Sequence, residues 1–125
     1  ANENDALVLG TGNKTELLTG FFTKYGDGAV DVEVLGQLWK TEVFEMAKHL
    51  GLPKNIYTKA PTAELFTGQT DEGELGITYP KLDAILQTME QDPDFIPATE
   101  EEKLVFGLLK NSQHKRESVL SIKRI

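Results

Sequence analysis

Cysteine is absent from this sequence, which excludes disulfides, thiolate zinc sites and cysteine nucleophiles and is compatible with a reducing cytoplasm. Histidine is nearly as scarce. His49 and His114 stand too far apart in sequence to form a local metal site, and no catalytic triad can be assembled around either. His49, near the end of a helical pattern, reads most simply as a partner of the helix dipole. No apolar run approaches the roughly 20 residues that cross a bilayer, and the first residues lack the basic and apolar zones of a signal peptide. Positive charge is also short: 13 Lys and Arg against 20 Asp and Glu leave a net charge of −7, which disfavours DNA, RNA and anionic lipid as partners. The end of the chain departs from that balance. There Lys110, Lys115, Arg116, Lys123 and Arg124 face a single acid, Glu117, which leaves an anionic partner open at that end.

What remains is the makeup of a folded domain, 39% apolar and 26% charged over 125 residues, with no internal repeat and no low-complexity segment. That length suits one domain burying roughly two thirds of its unfolded surface. The opening "ANENDALVLG" has no initiator Met and reaches an apolar strand pattern at once, so a piece of a longer chain is expected.

Residues 6–10, ALVLG, form a short apolar run bounded by turn residues, the pattern of a strand buried on both faces. From Lys14 the spacing changes to that of a helix. Leu17 and Phe21, and Leu18 and Phe22, are pairs four apart, and Gly26 can close the helix in a left-handed conformation. After a turn at Asp27-Gly28, "AVDVEVLG" alternates Val30, Val32 and Val34 with Asp31 and Glu33, a strand with one polar face. Trp39, Val43, Met46, Ala47 and Leu50 then follow an amphipathic helix stopped by Gly51 and Pro53. Strand, helix, strand, helix argues for a parallel sheet, yet two strands leave edges uncovered, so further strands are expected from another segment or chain. Residues 59–78 read as a long, acidic, mobile loop. Beyond it, Thr78 caps a helix bearing Leu82, Ile85, Leu86 and Met89, and Thr99 with Glu102 forms a capping box for one bearing Leu104, Val105, Leu108 and Leu109.

Gly10-Thr11-Gly12-Asn13-Lys14-Thr15 lies between the first strand and the first helix, where backbone N–H groups and a helix N-terminus can hold a phosphate. The letters match neither the full GxxxxGK[ST] spacing nor GxGxxG. A second reading stays open: Gly12 serves a tight turn while Asn13 and Glu16 cap the helix. Lys40 at the start of the second helix opposes the helix dipole unless an anion sits nearby. On position alone Lys40 reads sooner as a solvated lysine, while Asp31 is equally a water-facing acid and Lys24 a cation near a helix C-terminus.

The order of the blocks is more specific than any one of them. "LVLGTGNKTELLTGFFTKYGDGAVDVEVLGQLWKTEV", then "KAPTAELFTGQTDEGELGITYPKLD", then "HKR" closely resembles the C-terminal half of the ammonia-dependent NAD synthetase family, from about Asn4 to Arg116. The resemblance implies an α/β fold like that of the adenine-nucleotide alpha hydrolases, represented over residues 1–125 by its C-terminal portion with two parallel strands and their helices. It implies a reaction in which the nicotinate carboxylate of deamido-NAD attacks the α-phosphate of ATP, pyrophosphate leaves, and ammonia displaces AMP. By the same resemblance Thr11, Lys40 and Thr62 contact ATP, Glu16 holds magnesium, and Lys24, Asp31, His114 and Lys115 contact deamido-NAD. No protein nucleophile is implied. Lysines neutralise charge on phosphates and a hard carboxylate suits magnesium, so catalysis rests on positioning and electrostatics. A cytoplasmic homodimer is implied, with neither nucleic acid nor membrane as a partner.

The family's Ser-Gly-Gly-x-Asp-Ser pyrophosphate loop occurs nowhere in the sequence. The 125-residue chain alone is therefore expected to be inactive. Two rivals stand beside this reading: another acyl-adenylate-forming ATP pyrophosphatase such as GMP synthetase, and a noncatalytic nucleotide-binding module. Lys24 and Asp31 in "FFTKYGDGAVD" favour deamido-NAD over the first.

Overall fold

The computed structural model describes residues 1–117 and 121. After a short 3-10 turn at Asn2–Asn4, the chain forms β1 (Leu9–Gly10), α1 (Lys14–Thr19), β2 (Val32–Glu33), α2 (Lys40–His49), α3 (Lys54–Tyr57), α4 (Asp71–Leu75), α5 (Tyr79–Gln91), α6 (Glu100–Asn111) and α7 (Gln113–Arg116). The strands pair in parallel, Leu9 opposite Val32 and Gly10 opposite Glu33, with α1 in the crossover. This is the expected α/β arrangement of two parallel strands plus helices.

The expectation that the first strand is buried on both faces is not met. Leu7, Val8 and Leu9 are exposed, because each strand has one hydrogen-bonded neighbour and no second layer covers these side chains among the described residues. The polar face of the second strand also differs from the expectation. Val32 and Val34 are exposed, whereas the acids turn to the backbone beside β1: Asp31 Oδ2 accepts the Val8 N–H at 2.8 Å and Glu33 Oε2 the Gly12 N–H at 2.7 Å. A ladder of two residues leaves donors beyond its ends, and these carboxylates take them.

The core is helical rather than sheet-centred. Trp39, Leu75, Ile77, Tyr79, Leu82, Leu86 and Val105 are buried together, with Leu18, Phe21, Ile85, Met89, Leu108 and Leu109 packed around them. α5 and α6 contribute at helical spacing, as their sequences predict. By contrast, no residue of α2 is fully buried; Trp39 precedes the helix, and Met46 and Leu50 are exposed. The loop expected over 59–78 is shorter than its composition implies. Thr70 Oγ1 accepts the Gly73 N–H, α4 follows, Gly76 closes it at φ 72°, and Leu75 and Ile77 enter the core. Five helical residues are too few to show a period.

Helix ends are set by side chains. Asn13 and Glu16 form a complete capping box on α1, and Thr99 and Glu102 one on α6. Backbone N–H bonds from Thr99 and Ala98 hold the Glu102 carboxyl below its ordinary pKa. Thr78 stands at the start of α5, but its hydroxyl makes no capping bond; Glu72 Oε1 instead accepts the Tyr79 N–H at 2.7 Å. α1 ends at Gly20, with φ 69°, and not at Gly26. The close approach of α6–α7 at Ser112 explains the choice, because a Cβ at Gly20 would collide with the Ser112 side chain.

Two glycines with nearly the same φ, Gly20 at 69° and Gly51 at 71°, therefore differ in surroundings, since nothing lies within 4 Å of a Cβ at Gly51. Gly51→Ala should cost about 1 kcal/mol from left-handed strain alone. Gly20→Ala adds overpacking and should cost about 2–4 kcal/mol. Urea unfolding of the two variants compares them, and equal losses would contradict this packing.

Candidate functional site

The turn between β1 and α1 is built around a carboxylate. At Gly10 a Cβ would run into the Glu33 carboxylate and the Val30 side chain, and at Gly12 it would lie 3.0 Å from Glu33 Oε1. These glycines let the backbone pass close to Glu33, which also takes the Gly12 N–H. Asn13, 2% exposed, then opens α1: its Oδ1 accepts the Glu16 N–H at 3.0 Å, and Glu16 Oε2 accepts the Asn13 N–H at 3.1 Å. The capping reading of this turn is realised, and it directs Glu16 Oε1 elsewhere.

That oxygen meets Lys40. Lys40 Nζ donates to Glu16 Oε1 at 2.7 Å, with both side chains largely buried. The cation at the start of α2 thus has its anion within the protein. A second anion, Asp83 of α5, supports the same helix end. Asp83 is 1% exposed; its Oδ2 accepts the Thr41 N–H at 2.9 Å and the Thr41 hydroxyl at 2.8 Å, and its Oδ1 accepts the Thr15 hydroxyl at 2.6 Å. Thr15 Oγ1 in turn accepts the Lys40 N–H at 2.9 Å. Two first-turn amides of α2, otherwise orphaned, are thereby paired, and a negative charge sits at the positive end of the helix dipole.

Thr11, Glu16, Lys40 and Thr62 line one open cavity of about 440 Å³, with Val43, Phe44 and Ile56 as apolar wall. Thr62 belongs to a loop pinned by backbone: its Oγ1 accepts the Glu64 N–H at 3.1 Å, and the neighbouring Pro61 carbonyl accepts the Asp71 N–H at 2.9 Å. Lys40 Nζ stands 5.1 Å from the Tyr79 ring and 5.8 Å from the Phe44 ring, close enough for cation–π attraction. The Tyr79 hydroxyl donates to Asp71 Oδ2 at 3.0 Å. Burial first, and then the Asp71 charge, push the Tyr79 pKa well above its usual value, so it remains a donor. An apolar wall, two threonines and a held ion pair make a pocket suited to an aromatic base carrying phosphates.

The remaining sequence-predicted residues lie apart from this cavity. Lys24, His114 and Lys115 gather where α7 packs on the turn after α1, in a reciprocal exchange. Lys115 Nζ donates to the Gly20 and Phe22 carbonyls at 2.6 Å each, while Lys24 Nζ donates to the His114 carbonyl and, at 3.1 Å, to that of Glu117. His114 Nδ1 lies 3.1 Å from the Asn111 carbonyl. Arg116 completes the cluster on the Leu18 and Leu109 carbonyls. Asp31 stands separately at the strand edge, bonded to Val8. Of the basic residues near the end of the sequence, Lys123 and Arg124 lie outside the described residues. His49 sits in the last turn of α2, as a dipole partner should.

Asp83, Asp71 and Glu33 escape the sequence reading. Asp83 carries a legible signal, an acid within the apolar stripe of Tyr79, Leu82 and Leu86. Asp71 and Glu33 carry none, since each acts on a segment remote in sequence.

The site can be set beside known proteins. A family profile described as NAD synthase matches residues 1–119. The chain is 50% identical over 119 residues to NH(3)-dependent NAD(+) synthetase of Archaeoglobus fulgidus, covering 94% of this chain and 47% of that protein. Among solved structures, NMN synthetase from Francisella tularensis matches with a TM-score of 0.85 at 38% identity, over 99% of this chain and 50% of the other. NH3-dependent NAD synthetase from Campylobacter jejuni matches with a TM-score of 0.73 at 25% identity, over 98% and 47%. The chain spans about half the length of the relatives it matches.

The buried Asp83 carboxylate yields a direct expectation. Asp83→Ala strands the donors of Thr15 and Thr41 and should lower unfolding free energy by about 3–5 kcal/mol, whereas Asp83→Asn, which retains an acceptor, should cost less. Denaturant titration of both variants measures this, and a loss below about 1 kcal/mol for Asp83→Ala would show that water replaces the carboxylate.

Proposed function

The chain belongs to the NAD synthase family, and on that premise we propose that, in the whole protein, it forms part of a site that amidates deamido-NAD with ammonia and ATP, releasing NAD, AMP and pyrophosphate. The observation that carries this reading is the convergence of Thr11, Glu16, Lys40 and Thr62 on one cavity. In this reading the hydroxyls of Thr11 and Thr62 position ATP, and Lys40 neutralises charge that develops on its phosphates. Lys40 Nζ, held by Glu16 in this structure, would turn to the phosphates as Glu16 takes the metal, while Asp83 keeps the start of its helix in place.

Magnesium fits the donor set. Among the described residues no group of three or more His, Cys, Asp or Glu could hold a metal ion, but magnesium on a nucleotide needs only one or two protein carboxylates beside the phosphate oxygens. Glu16 would be the protein ligand, and the ion would supply charge neutralisation on those oxygens.

Lys24, Asp31, His114 and Lys115 are proposed for deamido-NAD, in which case the ammonium groups of Lys24 and Lys115 exchange backbone carbonyls for ligand oxygens. Residues 1–125 would be the C-terminal portion of a single domain, the Ser-Gly-Gly-x-Asp-Ser loop lying elsewhere in the whole protein, and the isolated chain would form no NAD. A cytoplasmic homodimer completes the proposal. Among the described residues no helix is long and apolar enough to cross a membrane.

The likeness to an NMN synthetase favours a second reading, in which the amidated carboxylate belongs to nicotinate mononucleotide. Assaying the whole protein with each substrate separates the two: faster turnover of the dinucleotide supports the first, and of the mononucleotide the second.

Glu16→Gln tests the metal role within either reading. The amide keeps the size and can still accept the Asn13 N–H, but it removes the charge. In the whole protein the magnesium concentration for half-maximal rate should rise at least about tenfold, and turnover should fall by about a hundredfold or more. A lowered Tm with unchanged magnesium dependence would assign Glu16 a structural role only.

A further inference from the structure

The turn that brings Thr11 to the cavity spends its amides within the protein. The Gly12 N–H donates to Glu33 Oε2 at 2.7 Å, the Asn13 N–H to Glu16 Oε2 at 3.1 Å, the Lys14 N–H to the Leu38 carbonyl at 2.8 Å and the Glu16 N–H to Asn13 Oδ1 at 3.0 Å. Two of these acceptors are carboxylates, so the negative charge that such a turn attracts is already built in. Glu33 does more than accept one hydrogen bond. A Cβ at Gly10 would collide with its Oε2 and one at Gly12 would lie 3.0 Å from its Oε1, so the carboxylate rests against both neighbours of Thr11. Its own backbone is fixed in turn. Glu33 pairs with Gly10 in the ladder, the Val34 N–H reaches the Gly10 carbonyl at 3.3 Å, and the Glu33 carbonyl accepts the Gly36 N–H at 3.1 Å. The cavity wall includes Thr11 and Gly12 but not Glu33, which stands behind the turn.

We propose that Glu33 is a positioning residue for ATP, acting through the Gly12 amide and the two glycines beside Thr11 to hold Thr11 at the nucleotide. The proposal rests on the reading above, in which Thr11 contacts ATP. The glycine turn then serves the nucleotide by placing a side chain rather than by cradling a phosphate. A phosphate at Gly12 would meet an amide already committed and a carboxylate of its own sign. Thr11 needs such support from behind. It is exposed, and the glycines on either side of it leave the backbone free to adopt many conformations. A charge-assisted hydrogen bond from a residue fixed in β2 supplies the constraint that those glycines give up.

The test uses the whole protein, with ATP and deamido-NAD varied one at a time. Glu33→Ala should raise the KM for ATP about tenfold and leave that for deamido-NAD within about twofold. Glu33→Gln keeps an oxygen for the Gly12 N–H and fills the same space, so it should recover most of the loss. The decisive step repeats Glu33→Ala in a Thr11→Ala background. There the contact that Glu33 positions is already gone, and the second substitution should change the ATP KM by less than about twofold, whereas independent damage would multiply in full. An ATP KM unchanged in Glu33→Ala overturns the proposal, and so does full multiplication in the double variant or an equal rise for both substrates. If Glu33→Ala does not fold, Glu33→Asp replaces it, since one methylene less withdraws the carboxylate from Gly12 and keeps the charge; the same outcomes decide. A wild-type protein that binds ATP but forms no amide from deamido-NAD contradicts the functional reading instead. The dissociation constant for ATP, measured by calorimetry on the same variants, then decides on Glu33, and a wild-type protein that binds no ATP overturns both.

Discussion

The carboxylate of Asp83 is the interaction on which the rest of the site depends. Burying a charge costs several kcal/mol, and here the cost is offset by three hydrogen bonds and by the positive end of α2. One side chain of α5 thereby fixes α1 through Thr15 and α2 through Thr41. The position of Lys40 follows, because its amide is bonded to the same threonine hydroxyl that Asp83 holds. Its ammonium reaches Glu16, one turn-position along α1 from Thr15, and the ion pair at the cavity is set by backbone geometry rather than by two freely rotating side chains.

The same economy governs the far side of α1. Its last carbonyls are taken by Lys115 and Arg116, and Lys24 returns the favour at the end of α7. Cations at helix C-termini are favourable on dipole grounds, and this accounts for Lys115 and Arg116 without an external anion. In the function proposed here those lysines would serve a ligand as well, as Glu16 would serve both a cap and a metal. A charged group already held in place loses little freedom when a ligand arrives.

What was legible in the sequence was mostly local. The capping boxes at Asn13–Glu16 and Thr99–Glu102 are written within four residues, and both formed. The periodicity of α5 and α6 identified the part of the core made by Leu82, Leu86 and Val105, but not Leu75 and Ile77 from the expected loop. Errors arose where a distant segment decided the outcome. Gly20 rather than Gly26 ends α1 because Ser112 packs there, and Asp31 and Glu33 turn to the backbone beside β1 because a two-residue ladder leaves donors to satisfy. The grouping of Thr11, Glu16, Lys40 and Thr62 has no signature in spacing; it came from the resemblance of ordered sequence blocks, and the fold brings these residues to one cavity. Asp83 shows in the sequence only as an acid within an apolar stripe and Asp71 not at all, since the value of a buried acid lies in its partners or in the lack of one.

Native-state hydrogen exchange at the amides of Lys40 and Thr41 tests the central role of Asp83 most directly. These are the first two residues of α2, and first-turn amides ordinarily have no intrahelical partner and exchange readily. If Thr15 and Asp83 hold them as described, both should be protected nearly as strongly as the amides in the middle of α5. Exchange at rates typical of a frayed helix N-terminus would show that the carboxylate does not anchor α2, and the preorganised ion pair would lose its foundation.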